Sequence, residues 1–204
     1  MRIKKFINQI LEENSYLVID KESCFVVDPG ILCESLVSEA TNYKVEFVLL
    51  THSHIDHVDG LRYFTAPIYI LDKGVNNLFD YNVNLYQMLD SKIPYLDKKE
   101  LVKPLFDNQE IDFNGHKIKV ISTEGHTNCS ACFLLDNKYL FTGDTLFKES
   151  IGRTDLPTGN QREMDKSLKK LIGLANEIII YPGHDGSSTI SEEKKFNPFL
   201  RRLL

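Results

Sequence analysis

Val45-Glu46-Phe47-Val48-Leu49-Leu50 runs without a break into Thr51-His52-Ser53-His54-Ile55-Asp56-His57, and the reading of this stretch decides the fold. The first six residues predict a strand buried on both faces, because β-branched and aromatic side chains dominate with no polar alternation. Such a strand delivers its C-terminal end directly into three histidines and an aspartate within six positions. His52 and His54 are two residues apart, so in extended chain they point to the same side and can grip one metal ion. Asp56 and His57 follow where the chain turns towards a helix, which lets them address a second ion nearby. A solvated polar loop is the bland alternative, but a solvated loop needs neither this composition nor a buried strand feeding it. Imidazole and carboxylate together suit Zn²⁺, Fe²⁺ or Mn²⁺ better than Ca²⁺ or Mg²⁺. Asp59 is the alternative carboxylate to Asp56.

Three further strand exits carry the same chemistry. His126 follows Gly125 after a strand over 117–121, Asp144 follows Gly143 after 139–142, and His184 follows Gly183 after 177–181. A glycine immediately before each lets backbone approach a crowded site. His52, His54, Asp56, His57, His126, Asp144 and His184 therefore form the candidate ligand set. His116, beside Asn114-Gly115, reads as an exposed turn residue and is left out.

Outward from these positions the chain alternates strands and helices. Strands are predicted at 3–6, 16–19, 24–27, 68–71 and 111–113. Hairpins are predicted at Asn114-Gly115 and, between 131–135 and 139–142, at Asp136-Asn137. Helices are predicted at 32–43 and 162–176, with a helical start to the tail from Ser191. The segment 72–107 reads as a partly helical excursion over one edge. The sum is an α/β sandwich of two mixed or mainly antiparallel sheets flanked by helices, in a single domain over 1–204. Its 204 residues suffice for one well-buried domain, and 42% hydrophobic with 26% charged residues is an ordinary globular composition. A net charge of −5 argues against a general nucleic-acid binder. No apolar run approaches the roughly 20 residues that span a bilayer. The basic start Met1-Arg2-Ile3-Lys4-Lys5 leads into polar residues rather than the core of a signal peptide, so a cytoplasmic location is expected. That setting argues against disulfides among Cys24, Cys33, Cys129 and Cys132. Cys132 is expected to face a strand core and Cys129, an oxidisable thiol three residues past His126, to lie in a turn.

Thr51-His52-Ser53-His54-Ile55-Asp56-His57 resembles the H-x-H-x-D-H signature of the metallo-β-lactamase superfamily. Gly125-His126-Thr127, Gly143-Asp144-Thr145 and Pro182-Gly183-His184 are similar to its later ligand positions, in order. Within it, Gly143-Asp144-Thr145-Leu146-Phe147 resembles the glyoxalase II-like (hydroxyacylglutathione hydrolase-like) branch. Gly152-Arg153-Thr154-Asp155-Leu156-Pro157 and Glu193-Lys194-Lys195-Phe196-Asn197-Pro198-Phe199-Leu200 are similar to it as well. The resemblance runs from Asn14-Ser15-Tyr16 to the end. It implies a four-layer αββα sandwich with mostly antiparallel sheets. It also implies two divalent metal ions, zinc first with iron or manganese as alternatives. His52, His54 and His126 are implied on one metal, Asp56, His57 and His184 on the other, and Asp144 bridging. The helical extension that grips glutathione in longer members is expected to be absent. Asp185-Gly186 after His184, and Asn128-Cys129 before Ser130, depart from the branch pattern.

The activity this resemblance implies is hydrolysis of a small thioester, such as a hydroxyacylglutathione, by a metal-bound hydroxide. Asp56 and Asp144 are the candidate catalytic carboxylates. Arg153 is a candidate anchor for a substrate carboxylate, or else a surface residue paired with Asp155; Phe147 and Tyr181 are candidate cleft walls. The alternative is a persulfide dioxygenase of the same fold, with one Fe²⁺ on His52, His126 and Asp144. A nuclease with the same motif, and a metal-binding protein without catalysis, are the more distant readings.

Overall fold

The protein, described by a computed structural model that covers every residue except Gln9 and Asp90, divides into two compact units, Met1–Leu105 and Phe106–Leu204. The first unit carries a six-stranded sheet ordered as in the sequence. Its strands are β1 (Arg2–Ile7), β2 (Asn14–Asp20), β3 (Ser23–Val27), β4 (Lys44–Leu49), β5 (Ile68–Leu71) and β6 (Val102–Leu105). β1, β2 and β3 pair antiparallel, whereas β3 to β6 run parallel. Parallel neighbours need crossovers, and α1 (Glu34–Ala40) supplies the one between β3 and β4, burying Leu36 and Ala40. It starts later than the sequence pattern suggests, because Leu32 sits at φ 53, outside the right-handed helical region. β4 is buried only from Phe47 onward; Glu46 is half-buried and accepts from Ser23 Oγ at 2.9 Å. Phe47 stacks on Phe25 at 5.1 Å, so the strand interior is fixed by ring packing.

Among its described residues the excursion over 72–107 is helical only in α3 (Gly74–Asn77) and two 3-10 turns, and it ends in a strand, β6, that the sequence pattern did not disclose. Pro104 concealed it. Proline cannot donate to a ladder, but β6 is the outermost strand, where that loss is tolerated. Of the aromatics in the excursion, Tyr86 and Tyr95 are fully buried and meet edge-on at 5.9 Å, Phe79 is half-buried, and Tyr81 and Phe106 are exposed.

The second unit carries a sheet ordered β12-β11-β10-β9-β8-β7. Its strands are β7 (Glu110–Phe113), β8 (His116–Ser122), β9 (Ala131–Leu135), β10 (Tyr139–Gly143), β11 (Ile179–Pro182) and β12 (Ser188–Thr189). Only β10 and β11 pair parallel, so this sheet is mainly antiparallel as expected while the first is not. Both hairpin turns place two residues at positive φ: Asn114 (53°) with Gly115 (89°), and Asp136 (51°) with Asn137 (52°). That is the backbone whose twist suits a two-residue hairpin. α4 (Gln161–Ile172) is capped by the Asn160 side chain, which accepts from Arg162 N and Glu163 N, and it stops at Gly173. Its buried stripe, Met164, Leu168 and Leu171, packs with Leu134, Leu140 and Ile180 of the sheet. α5 (Ile190–Phe196) and α6 (Pro198–Arg201) close the chain and add Ile190 and Leu200 to this core. Among the described residues no helix is long and apolar enough to cross a membrane.

Candidate metal centre

In the first unit the ligand motif begins where β4 ends. His54 is extended (φ −69, ψ 147) and serves as the N-cap position of α2 (Ile55–Val58), the short helix that carries Asp56 and His57. His52, His54 and His57 are buried, and Asp56 is half-buried. The His52 ring lies 4.7 Å from that of His54 and 4.2 Å from that of His57. His57 Nε2 is 3.8 Å from Asp56 Oδ2.

Asp28, at the end of β3 and at φ 48, orients the rings of His52 and His57. Its Oδ1 accepts from Thr51 N at 2.7 Å, and its Oδ2 accepts from Thr51 Oγ1 at 2.6 Å. Having spent its proton on Asp28, the Thr51 hydroxyl can only accept from His52 Nδ1, 3.1 Å away. His57 Nδ1 donates to Asp28 Oδ2 at 3.0 Å. One carboxylate thus holds the Nδ1 protons of two histidines in place and leaves each Nε2 as the lone-pair nitrogen, the arrangement that prepares imidazole for a metal. A second buried carboxylate, Glu13, has Oε1 3.8 Å from His57 Nδ1. It is fixed by Asn8 and by Ser15, whose hydroxyl in turn accepts from Gly30 N at 3.1 Å. Burial holds the Glu13 carboxyl well above the usual carboxylate range, and the neighbouring His57 opposes that shift. Neither Asp28 nor Glu13 stood among the sequence candidates. Asp28 read as a turn residue before Pro29-Gly30, and Glu13 gave no signal beyond lying next to Asn14-Ser15-Tyr16.

In the second unit Asp144 sits between two imidazoles. Its Oδ2 is 3.5 Å from His126 Nε2 and 3.7 Å from His184 Nε2. His126 Nδ1 donates to the Arg153 carbonyl at 2.7 Å; a carbonyl only accepts, so this proton too is fixed and Nε2 faces Asp144. The register shift between Phe141 and Gly143 in the β10–β11 pairing lies immediately before Asp144 and re-aims the chain there. The glycines before the ligands differ in purpose. Gly125 (φ 149) and Gly143 (φ 47) adopt backbone that disfavours other residues, whereas Gly183 donates its N–H to the Gly143 carbonyl at 2.9 Å and ties the two strand exits together. A fourth glycine matters as much. A Cβ on Gly152 would overlap the Asp144 carbonyl oxygen and sit 3.1 Å from His126 Nδ1.

The remaining sequence candidates have other partners. Arg153 forms a bidentate pair with Asp155, at 2.6 and 2.7 Å, with both side chains exposed. The guanidinium holds the Asp155 carboxyl down to about 2. Phe147 is half-buried and meets the His184 ring edge-on at 5.7 Å. Tyr181 tilts against Phe141 at 5.5 Å and Tyr139 at 6.0 Å. Asp59 is engaged by Arg62 at 2.9 Å and by the Tyr86 hydroxyl at 2.8 Å, which explains its burial without a metal. His116 is half-exposed and bonded to Asp136 at 2.6 Å. The four cysteines are buried, with Cys132 in β9 and Cys129 in a turn, as expected. The donor set, anchored imidazoles together with carboxylates, fits divalent metal ions of the Zn, Fe or Mn kind.

Comparison with known proteins agrees with this chemistry. The family described as "Metallo-beta-lactamase superfamily" matches residues 10–184, spanning both units. A probable metallo-hydrolase of Streptococcus pyogenes is 33% identical, covering 98% of this chain and 90% of the relative. The hydroxyacylglutathione hydrolase GloC of Haemophilus influenzae is 32% identical, covering 93% of each. The crystal structure of BLEG-1 B3 metallo-beta-lactamase is similar at TM-score 0.86 and 27% identity, covering 98% of this chain and 99% of that one. TTHA1623, crystallised in a di-iron-bound form, is similar at TM-score 0.80 and 30% identity, covering 97% and 100%.

Proposed function

This chain belongs to the metallo-beta-lactamase superfamily, and from that premise we propose that it is a binuclear metallohydrolase that cleaves a small thioester in the cytoplasm. The observation that carries the metal-binding part is the fixed tautomer of His52, His57 and His126, each with Nδ1 held by an oxygen, and the hydrolytic part is supported by the similarity to a probable metallo-hydrolase. The thioester class is supported by the hydroxyacylglutathione hydrolase relative and by the Gly143–Pro157 motifs. His52, His54, Asp56 and His57 would hold the ions together with His126, Asp144 and His184, with Asp144 shared between them. Bound there, a metal pair would supply Lewis acidity, lowering the pKa of water towards 7 and polarising an acyl carbonyl.

The chain's own residues do the rest. Asp28 and the Arg153 carbonyl keep the imidazoles in the binding tautomer. Asp56, half-buried beside His57, accepts a hydrogen bond from the attacking water and orients it. The departing thiolate is a stable anion and needs little protonation, so no general acid is required at the sulfur. Arg153 presents its guanidinium to a substrate carboxylate by exchanging the exposed Asp155 partner, a trade that solvent screening makes easy. Phe147 and Tyr181 form apolar walls. The substrate is a small molecule rather than a nucleic acid or a membrane.

The test is metal analysis of anaerobically purified protein, followed on the same sample by S-lactoylglutathione hydrolysis and persulfide oxidation. Two metals per chain with thioester turnover is the expected result. One iron per chain with oxygen uptake on a persulfide would replace this reading by the dioxygenase.

A further inference from the structure

The C-terminal motif Glu193 to Leu200 has no part in the site as built so far, yet it holds two of the most buried polar side chains of the second unit. Glu193 is 1% exposed and Asn197 0%. Glu193 Oε2 accepts from Glu149 N at 2.8 Å and from Asn197 Nδ2 at 2.8 Å. Asn197 Nδ2 also reaches the Ser150 carbonyl at 3.0 Å and the Phe147 carbonyl at 3.4 Å. All of these backbone groups belong to one turn, closed by the Phe147–Ser150 bridge, with Glu149 at φ 58. Glu193 Oε1 is buried and has no hydrogen-bond partner among the described residues. A carboxylate oxygen buried without a partner costs desolvation energy.

What the turn controls is the ligand trio. It lies between Asp144 and Gly152, and Gly152 leaves no room for a Cβ against the Asp144 carbonyl. Phe147, the first residue of the turn, is the ring set edge-on against His184. Arg153, just past Gly152, supplies the carbonyl that holds His126 Nδ1. We propose that Glu193 and Asn197 are positioning residues for the metal centre: they clamp the 147–150 turn from the tail and thereby hold His184, and through the following backbone His126, in binding geometry. The proposal rests on the reading of Asp144, His126 and His184 as metal ligands.

The experiment is zinc competition against a chromophoric chelator, with thermal unfolding of the metal-free protein measured in parallel. Glu193→Ala removes both acceptor bonds. Glu193→Gln keeps an oxygen able to accept them. Asn197→Asp removes the donor to the turn but keeps the acceptor that caps α6 through Phe199 N, 3.0 Å away. Phe147→Leu leaves the clamp and removes the ring. Glu193→Ala, Asn197→Asp and Phe147→Leu are expected to weaken zinc binding about 10–100-fold, the cost of losing an outer support of a ligand. Glu193→Gln and Lys194→Ala, the latter on the same helix but off the clamp, are expected to stay within about twofold of wild type. Unfolding temperatures lowered in the first three with unchanged zinc affinity would reduce the motif to a structural staple and overturn the proposal. Failure of the wild-type chain to bind zinc, iron or manganese would instead overturn the metal-centre reading beneath it.

Discussion

Replacing Asp28 by Asn exchanges one carboxylate oxygen for an amide NH₂ at almost constant volume. The amide oxygen can still accept from Thr51 N, which reaches Oδ1 at 2.7 Å. The NH₂ then occupies the place of Oδ2, where Thr51 Oγ1 and His57 Nδ1 both now donate at 2.6 and 3.0 Å. Donor would face donor at both contacts. His57 escapes by moving its proton to Nε2, the nitrogen required for the metal, and the Thr51 hydroxyl turns away and releases His52 Nδ1. Each lost bond to the charged group is worth about 1.5–3 kcal/mol in a buried setting. Loss of an outer partner of a ligating histidine lowers metal affinity about 10–100-fold, or about 1.4–2.7 kcal/mol. With two histidines resting on the same oxygen, the upper end is expected. The assay is zinc titration against a chelator, joined to long-range nitrogen NMR of the metal-free protein, which reads each ring's tautomer directly. Zinc affinity within twofold of wild type, with His57 still protonated at Nδ1 in the variant, would refute the reasoning.

Asp144→Ala and His54→Ala are expected to lower metal content and cut hydrolysis on the order of a thousandfold or more, since several kcal/mol of barrier lowering leave with the metal; full activity in metal-free protein would refute the mechanism. Gly152→Ala forces a Cβ into the Asp144 carbonyl, so loss of metal binding should exceed the roughly 1 kcal/mol typical of a point substitution, as chelator titration and thermal unfolding would report. Arg153→Ala should raise KM for an anionic thioester about tenfold with kcat little changed, the pattern of lost uniform binding; an unchanged KM would leave Arg153 as the partner of Asp155 alone. Burial pushes the Cys24 thiol up to about 11 and the Cys33 and Cys132 thiols up to about 12. A thiol whose folded pKa is raised favours the folded state below its ordinary value near 9 and loses that contribution as pH climbs to 11 or 12. Stability should therefore decline above about pH 9, and a thiol reagent at pH 8 should label these cysteines only on unfolding.

Much of the site was legible in the sequence because metal ligands need particular side chains at strand exits. The spacing of His52, His54, Asp56 and His57 marks one candidate cluster, and the glycines before His126, Asp144 and His184 mark the other candidates. The hairpins were equally plain, since Asn114-Gly115 and Asp136-Asn137 tolerate positive φ where most residues do not. β6 was hidden, because Pro104 argues against a strand unless the strand is known to be an edge, and only sheet order reveals an edge.

What the sequence determined alone, then, is which side chains are candidates to bind a metal and that they follow the ends of strands, because residue type and period are local properties. Only the tertiary structure decided which of the remaining polar residues serve them. Asp28 and Thr51 are 23 positions apart and meet because β3 and β4 run parallel. Glu193 meets Glu149 across 44 positions because α5 packs against the turn that follows β10. A carboxylate's role is set by the donors that surround it, and in this chain those donors arrive from distant segments that no local pattern connects.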